Sequence, residues 1–300
     1  MDPLVIAFGL GVGILIGLTG IGGGSLMTPL LVVFAGIHPV VAIGTDLAYG
    51  AVTKTLGGWR HLRKGTVDLG VSKWLAVGSV PGALAGVLLL ERLHAAYGES
   101  FEPTLLGAIA VALLIVALTV LGRALFMAKL AARERHSVQQ TTRTKVTAVS
   151  LGAILGLILG VTSVGSGALI GLALILVFRL TPHRVVGTDV FHAAILLWAA
   201  GLAHLASGNV EFALMGTILV GSLPGVWIGT NLVGHVPATV LRPTLGCVLL
   251  ASALGVLTKA GVDVPTAVTI GVPLAAGLLA WLLHRTRPSA PTAEIEAMPA

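Results

Sequence analysis

The chain has 300 residues, 56% of them hydrophobic and only 10% charged, with a formal net charge of +6, and its mean hydropathy is +1.00. That is far more apolar surface than one water-soluble core could hide, so composition excludes a soluble globular enzyme and places the chain in a bilayer. The sequence pI near 10.0 would suit a nucleic-acid partner, but the basic residues sit in short loops beside apolar runs, where membrane topology puts them, and none is expected.

The N-terminus, Met1, Asp2 and Pro3, lacks the basic region of a signal peptide, so the first apolar run is expected to remain in the mature protein. That run, 4–36, is too long at 1.5 Å per residue for one crossing and too short for two. Glycines 20, 22, 23 and 24 cut it in the middle, so it reads as a broken or re-entrant helical hairpin. Apolar stretches close to the roughly 20 residues of a membrane span follow at 41–58, 71–90 and 104–122. A basic linker at 123–145 leads to a second interrupted segment at 146–178, then spans at 185–203, 212–233, 239–258 and 265–283. The pattern predicts an all-α polytopic membrane protein: two broken hairpins and about seven transmembrane helices. Its expected divisions are a first repeat 1–122, the linker, a second repeat 146–260, an extra helix 261–284 and a disordered tail 285–300. The single cysteine, Cys247, excludes an internal disulfide and reads as a packed thiol. No metal site, cofactor or catalytic residue is expected.

The chain is written twice. Gly165, Pro182, Asp189, His204 and Pro224 each follow Gly22, Pro39, Asp46, His61 and Pro81 by 143 residues, without a gap. The loop charges invert between the copies. Arg60, Arg63, Lys64 and Lys73 become Ala203, Ala206, Ser207 and Gly216, whereas the neutral turn at Gly36 becomes one with Arg179 and Arg184. Under the positive-inside rule, loops inside in the first copy are outside in the second, the signature of an inverted-topology repeat. The linker 123–145 and the C-terminus are then cytoplasmic. Glycines at intervals of four, from Gly9 to Gly17 and from Gly152 to Gly160, mark faces for close helix packing.

The two interruptions are the sharpest site candidates. A helix broken inside a membrane frees backbone N–H groups, tolerated only against protein or a wet cavity, and such N–H groups suit an anion. Thr19, Gly22, Gly23, Gly24 and Ser25 form one half-site, and Thr162, Ser163, Gly165, Ser166 and Gly167 the other, with Thr45 and Thr188 two turns into the helices opened by Pro39 and Pro182. Beside the threonines lie Asp46 and Asp189. A carboxylate there repels an anion when ionised and admits it when protonated, which suggests proton coupling; an interhelical hydrogen-bond role is the alternative. His192 shares the face of Asp189, and His61 pairs with His204 across the duplication. Lys54, whose counterpart is Leu197, either attracts an anion or snorkels to the cytoplasmic surface.

These residues resemble the TauE/SafE family of sulfite and sulfonate exporters. The likeness rests on Gly22, Gly23, Gly24, Ser25 and Pro29, on the run from Pro39 to Gly44 and Thr45, on Lys54 to Asp68, and on their second-copy counterparts. It implies a permease of the cytoplasmic membrane that moves small sulfur-containing anions, usually outward. The expected partners are the lipid bilayer and a small anionic substrate, with a homodimer left open. No phosphate-binding loop of the Gly-x-x-x-x-Gly-Lys-Ser/Thr type is present, so ATP is not the expected energy source. Two other readings stand beside a secondary transporter: an intramembrane enzyme using Ser25 or Ser166 with His192 or His61, and a passive anion channel.

Overall fold

The computed structural model describes residues 2–19, 24–126, 137–232, 235 and 238–285. Gly22 and Gly23, the middle of the basic linker and the tail from 286 onward lie outside the described residues, as does the side chain of Thr19.

The described residues form eleven α-helices. The first copy supplies α1 (Pro3–Thr19), α2 (Gly24–Val33), α3 (Pro39–Arg63), α4 (Leu69–Tyr97) and, after a 3-10 turn, α5 (Glu102–Phe126). The second supplies α6 (Thr142–Thr162), α7 (Leu169–Leu176), α8 (Pro182–Ala206), α9 (Phe212–Leu232) and α10 (Ala238–Lys259), followed by α11 (Thr266–Arg285). Every expected span falls within one of these helices to within a few residues. Four helical stretches combine the length and hydropathy of a crossing: Leu69–Gly122, Thr142–Thr162, Pro182–Ala206 and Phe212–Leu232. The chain is an all-α, multi-pass membrane protein.

Each interrupted segment is asymmetric. α6, with 21 residues, reaches about 31 Å, enough to cross the hydrocarbon, whereas the 8 residues of α7 reach only about 12 Å. The second hairpin is thus a span followed by a partial return.

α3 and α8 run through the middle, packed on one another. Pro39 and Pro182 open them in the first turn, where a missing N–H costs nothing. Both helices end in the same hydrogen-bonded cap. Gly65 and Gly208 adopt φ of 65° and 78°, which lets Thr66 and Asn209 donate back to the carbonyls of His61 and His204 at 3.2 and 2.9 Å. α3 and α8 are antiparallel: a Cβ on Gly58 would lie 3.2 Å from Phe191, and one on Gly201 3.2 Å from Ala48.

Around this centre stand two parallel helix pairs, α1 with α9 and α4 with α6. A Cβ on Gly13 would sit 2.9 Å from the Cα of Ser222, and one on Gly156 2.8 Å from the Cα of Ser79. With nothing larger than hydrogen at these positions, the backbones approach directly, which replaces the hydrophobic drive that lipid does not supply.

Candidate functional site

The duplicated Gly-Thr-Asp triplets do different work at each residue. The Thr45 hydroxyl accepts a hydrogen bond from the backbone N–H of Glu211 at 3.0 Å, and the Thr188 hydroxyl accepts one from the N–H of Asp68 at 2.8 Å. Asp68 and Glu211 are equivalents, so each copy satisfies the first turn of a helix in the other. The Trp198 indole donates to the Thr55 hydroxyl at 2.8 Å, across an interval of 143 residues. Contacts in which residue i meets j′ while j meets i′ are those of a two-fold relation. The two threonines expected to face an anion are therefore engaged in holding the copies together.

Asp46 has a different role. Its Oδ2 accepts from the hydroxyls of Thr28 at 2.6 Å and Ser163 at 2.7 Å. Thr28 belongs to α2 and Ser163 follows α6 at φ 59°, so one buried carboxylate ties both interrupted hairpins to α3. Thr162 shapes the second interruption: its hydroxyl donates to the carbonyl of Ile158 at 2.7 Å and accepts from the N–H of Val164 at 3.1 Å. Gly165 and Gly167 complete that turn with φ of 124° and 100°. The start of α2 touches the second interruption, since a Cβ on Gly24 would lie 2.6 Å from the Ser163 carbonyl oxygen. Of the residues expected from the sequence, Gly24, Asp46, Ser163 and Ser166 come together here.

A cavity of about 550 Å³ opens from this junction between α3, α1 and α9. Asp46, Gly50, Lys54, Gly57 and His61 form its α3 wall, at the intervals of three and four residues that place side chains on one helix face. Gly24 and Ser166 line its deep end, while Arg60 and Trp59 stand at the other. Lys54 does not snorkel: it is 6% exposed, and its ammonium is buried without a hydrogen bond. It lies within electrostatic reach of Asp189 and Asp46. Two carboxylates related by the duplication thus lie within reach of one ammonium, which has Leu197 as its counterpart.

Further buried polar atoms at this junction lack partners: Asp46 Oδ1 and the hydroxyls of Ser25 and Ser166. Unsatisfied polar atoms are rare in protein interiors and call for water, an ion or a ligand. No group of three or more potential ligating side chains is present among the described residues.

His192 lies elsewhere. It is buried, and its Nε2 meets the Ser79 hydroxyl at 3.2 Å, joining α8 to α4. The equivalent position is Tyr49, facing Ser222 on α9 without a completed hydrogen bond. The serine-histidine pairing needed by an enzyme is therefore not assembled at Ser25 or Ser166 among the described residues. Thr28 is the site residue that sequence reasoning passed over. Its signal was a hydroxyl just before Pro29, but its second-copy equivalent is Gly171, so the duplication hid it.

The family model for the sulfite exporter TauE/SafE matches residues 5–256. The chain belongs to the TauE/SafE family. It is 36% identical over 254 residues, 85% of this chain and 99% of the relative, to the probable membrane transporter protein YjnA of Bacillus subtilis. A second B. subtilis relative, the probable membrane transporter protein YdhB, is 28% identical over 78% of this chain and 91% of its own length. A probable membrane transporter protein of Xylella fastidiosa is 26% identical over 86% and 97%. No solved structure matches the chain. Family and relatives are those of membrane transporters, in keeping with the apolar helices and the cavity between them.

Proposed function

We propose that this TauE/SafE chain is a secondary transporter of the cytoplasmic membrane that carries a small sulfur-containing oxyanion or organosulfonate. The observation that carries this reading is the buried, hydrogen-bond-free Lys54 ammonium at the wall of a cavity reaching the start of α2 at Gly24 and the second interruption at Ser166. A cation held that way is costly unless an anion completes its shell. Gly24, Ser166 and Lys54 offer the donors, and Ser25 and Ser163 stand behind them.

Two carboxylates against one ammonium leave excess negative charge, which would repel an anion. A proton on Asp46 or Asp189 removes that excess, so substrate and proton bind together. The sign follows: transport falls as pH rises and the carboxylate loses its proton, and neutralising Asp46 flattens the profile. Antiparallel α3 and α8 favour opposite orientations of the two copies, with Gly65 and Gly208 on opposite membrane faces.

The test is flux into proteoliposomes holding the purified protein, with labelled sulfite and sulfoacetate. Saturable uptake that decreases with rising pH, and that loses most of its pH dependence in Asp46→Asn, is the expected result. Flux linear to high concentration would instead indicate a channel.

A further inference from the structure

The two copies match in sequence register but not in how tightly they close. α4 of the first copy packs closely along α8 of the second, whereas their equivalents α9 and α3 meet much less closely. Ala83, Val87 and Leu159 are fully enclosed, yet their equivalents Val226, Thr230 and Ile16 line the cavity.

The difference centres on one pair of histidines. His204 is 0% exposed, and its Nε2 lies 3.1 Å from the carbonyl oxygen of Gly160 on α6. A carbonyl only accepts, so Nε2 carries the proton. Nδ1 is then free to accept from the Asn209 side-chain amide at 3.4 Å. Asn209 in turn reaches the Glu91 carboxylate on α4. His204 thereby links the end of α8 to α6, and through Asn209 to α4.

His61 has the same position at the end of α3, and its Nδ1 meets the Thr66 hydroxyl at 3.0 Å, as His204 meets Asn209. Its counterpart of Gly160 is Gly17. Both His61 and Gly17 line the open cavity, so the equivalent link is absent on this face.

We infer that His204 and His61 are alternate latches of one transport cycle. In the state described, the His204–Gly160 link is made and the Glu91 face is shut. In the opposite state, His61 Nε2 donates to the Gly17 carbonyl, α9 closes along α3, and the His204 link is released. The duplication supplies the second state, because each copy can take the conformation that the other now holds. The helix pairs α1 with α9 and α4 with α6 move as rigid units, since their glycine faces leave no room to slide. This inference rests on the transporter reading but is tested without a substrate.

The experiment uses the full chain in lipid nanodiscs, with Cys247→Ser removing the native thiol. Spin labels are attached through Leu18→Cys with Leu62→Cys on the cavity face, and through the equivalent Val161→Cys with Leu205→Cys on the closed face. The first pair is expected to show the longer distance in the resting protein. His204→Ala should lengthen the Val161–Leu205 distance and shorten the Leu18–Leu62 distance, changing the population ratio about tenfold for one buried hydrogen bond. His204→Gln, which keeps a donor at a similar reach, should restore the resting ratio. His61→Ala, at a partly exposed position, should remove any population with a short Leu18–Leu62 distance. Distances that change together, or that change with neither variant, overturn the latch. Reciprocal distances in a protein that moves neither sulfite nor sulfoacetate would overturn the transporter reading and leave the latch standing.

Discussion

The half of the molecule around His204 and the half around His61 have matching sequences and different packing. In one, α4, α6 and α8 enclose Ala83, Val87, Leu159 and His204. In the other, α1, α9 and α3 spread around a cavity of about 550 Å³. The lesson is that a duplication fixes which residues can meet, while the state of the molecule fixes which of them do. Among the many positions that differ, Lys54 against Leu197 and Thr28 against Gly171 are the ones that bear on the site. These substitutions give the two-fold scaffold a single charged centre.

The comparison can be broken most severely at the helix pairs common to both halves. Gly13→Leu and Gly156→Leu place a side chain where the partner backbone already lies within 2.9 and 2.8 Å. Each should cost about 3 kcal/mol or more by overpacking, visible as loss of the monodisperse peak in detergent. Gly107→Leu, which has open space around it, should behave as the parent protein. If the Gly13 and Gly156 variants differ greatly, the two pairs are not equivalent units.

The next largest effect is expected at the charge that only one half carries. Lys54→Met removes a charge-assisted contact worth roughly 1.5–3 kcal/mol to a bound anion, so substrate affinity should fall by about ten- to a hundredfold. Thermal stability should fall at neutral pH, because the buried carboxylates of Asp46 and Asp189 lose the ammonium within their reach. Unchanged flux in this variant would remove Lys54 from the site.

The smallest expected effect sharpens the equivalence of the halves. Thr45→Val and Thr188→Val each delete one buried hydroxyl acceptor and leave one backbone N–H unsatisfied, at a cost of about 1–3 kcal/mol. Thermal unfolding should show similar losses for both. A loss at Thr45 alone would mean that the face bearing Glu211 carries more of the stability than the face bearing Asp68.

Much of this was legible in the chain itself. Apolar length gave each crossing, Pro39 and Pro182 gave helix starts, and the glycine interruptions gave the hairpins, because each is a local rule written in consecutive residues. The residues that come together at the candidate site were legible less evenly. Gly24, Asp46, Ser163 and Ser166 meet as the duplicated motifs suggested. Thr45 and Thr188, which stand beside the aspartates in sequence, point instead to the opposite copy. Adjacent helical residues face directions about 100° apart, so sharing a motif does not mean sharing a site.

The sequence by itself determined the membrane setting, the order and lengths of the helices, and the interval at which the two copies correspond. Those follow from hydropathy, backbone preference and repetition, all of which act along the chain. The tertiary structure decided that Asp46 joins two hairpins, that Lys54 is buried rather than drawn to the surface, and that His204 closes while His61 stands open. Each of those depends on how helices distant in sequence pack through space, and the same paired residues are compatible with either face being shut.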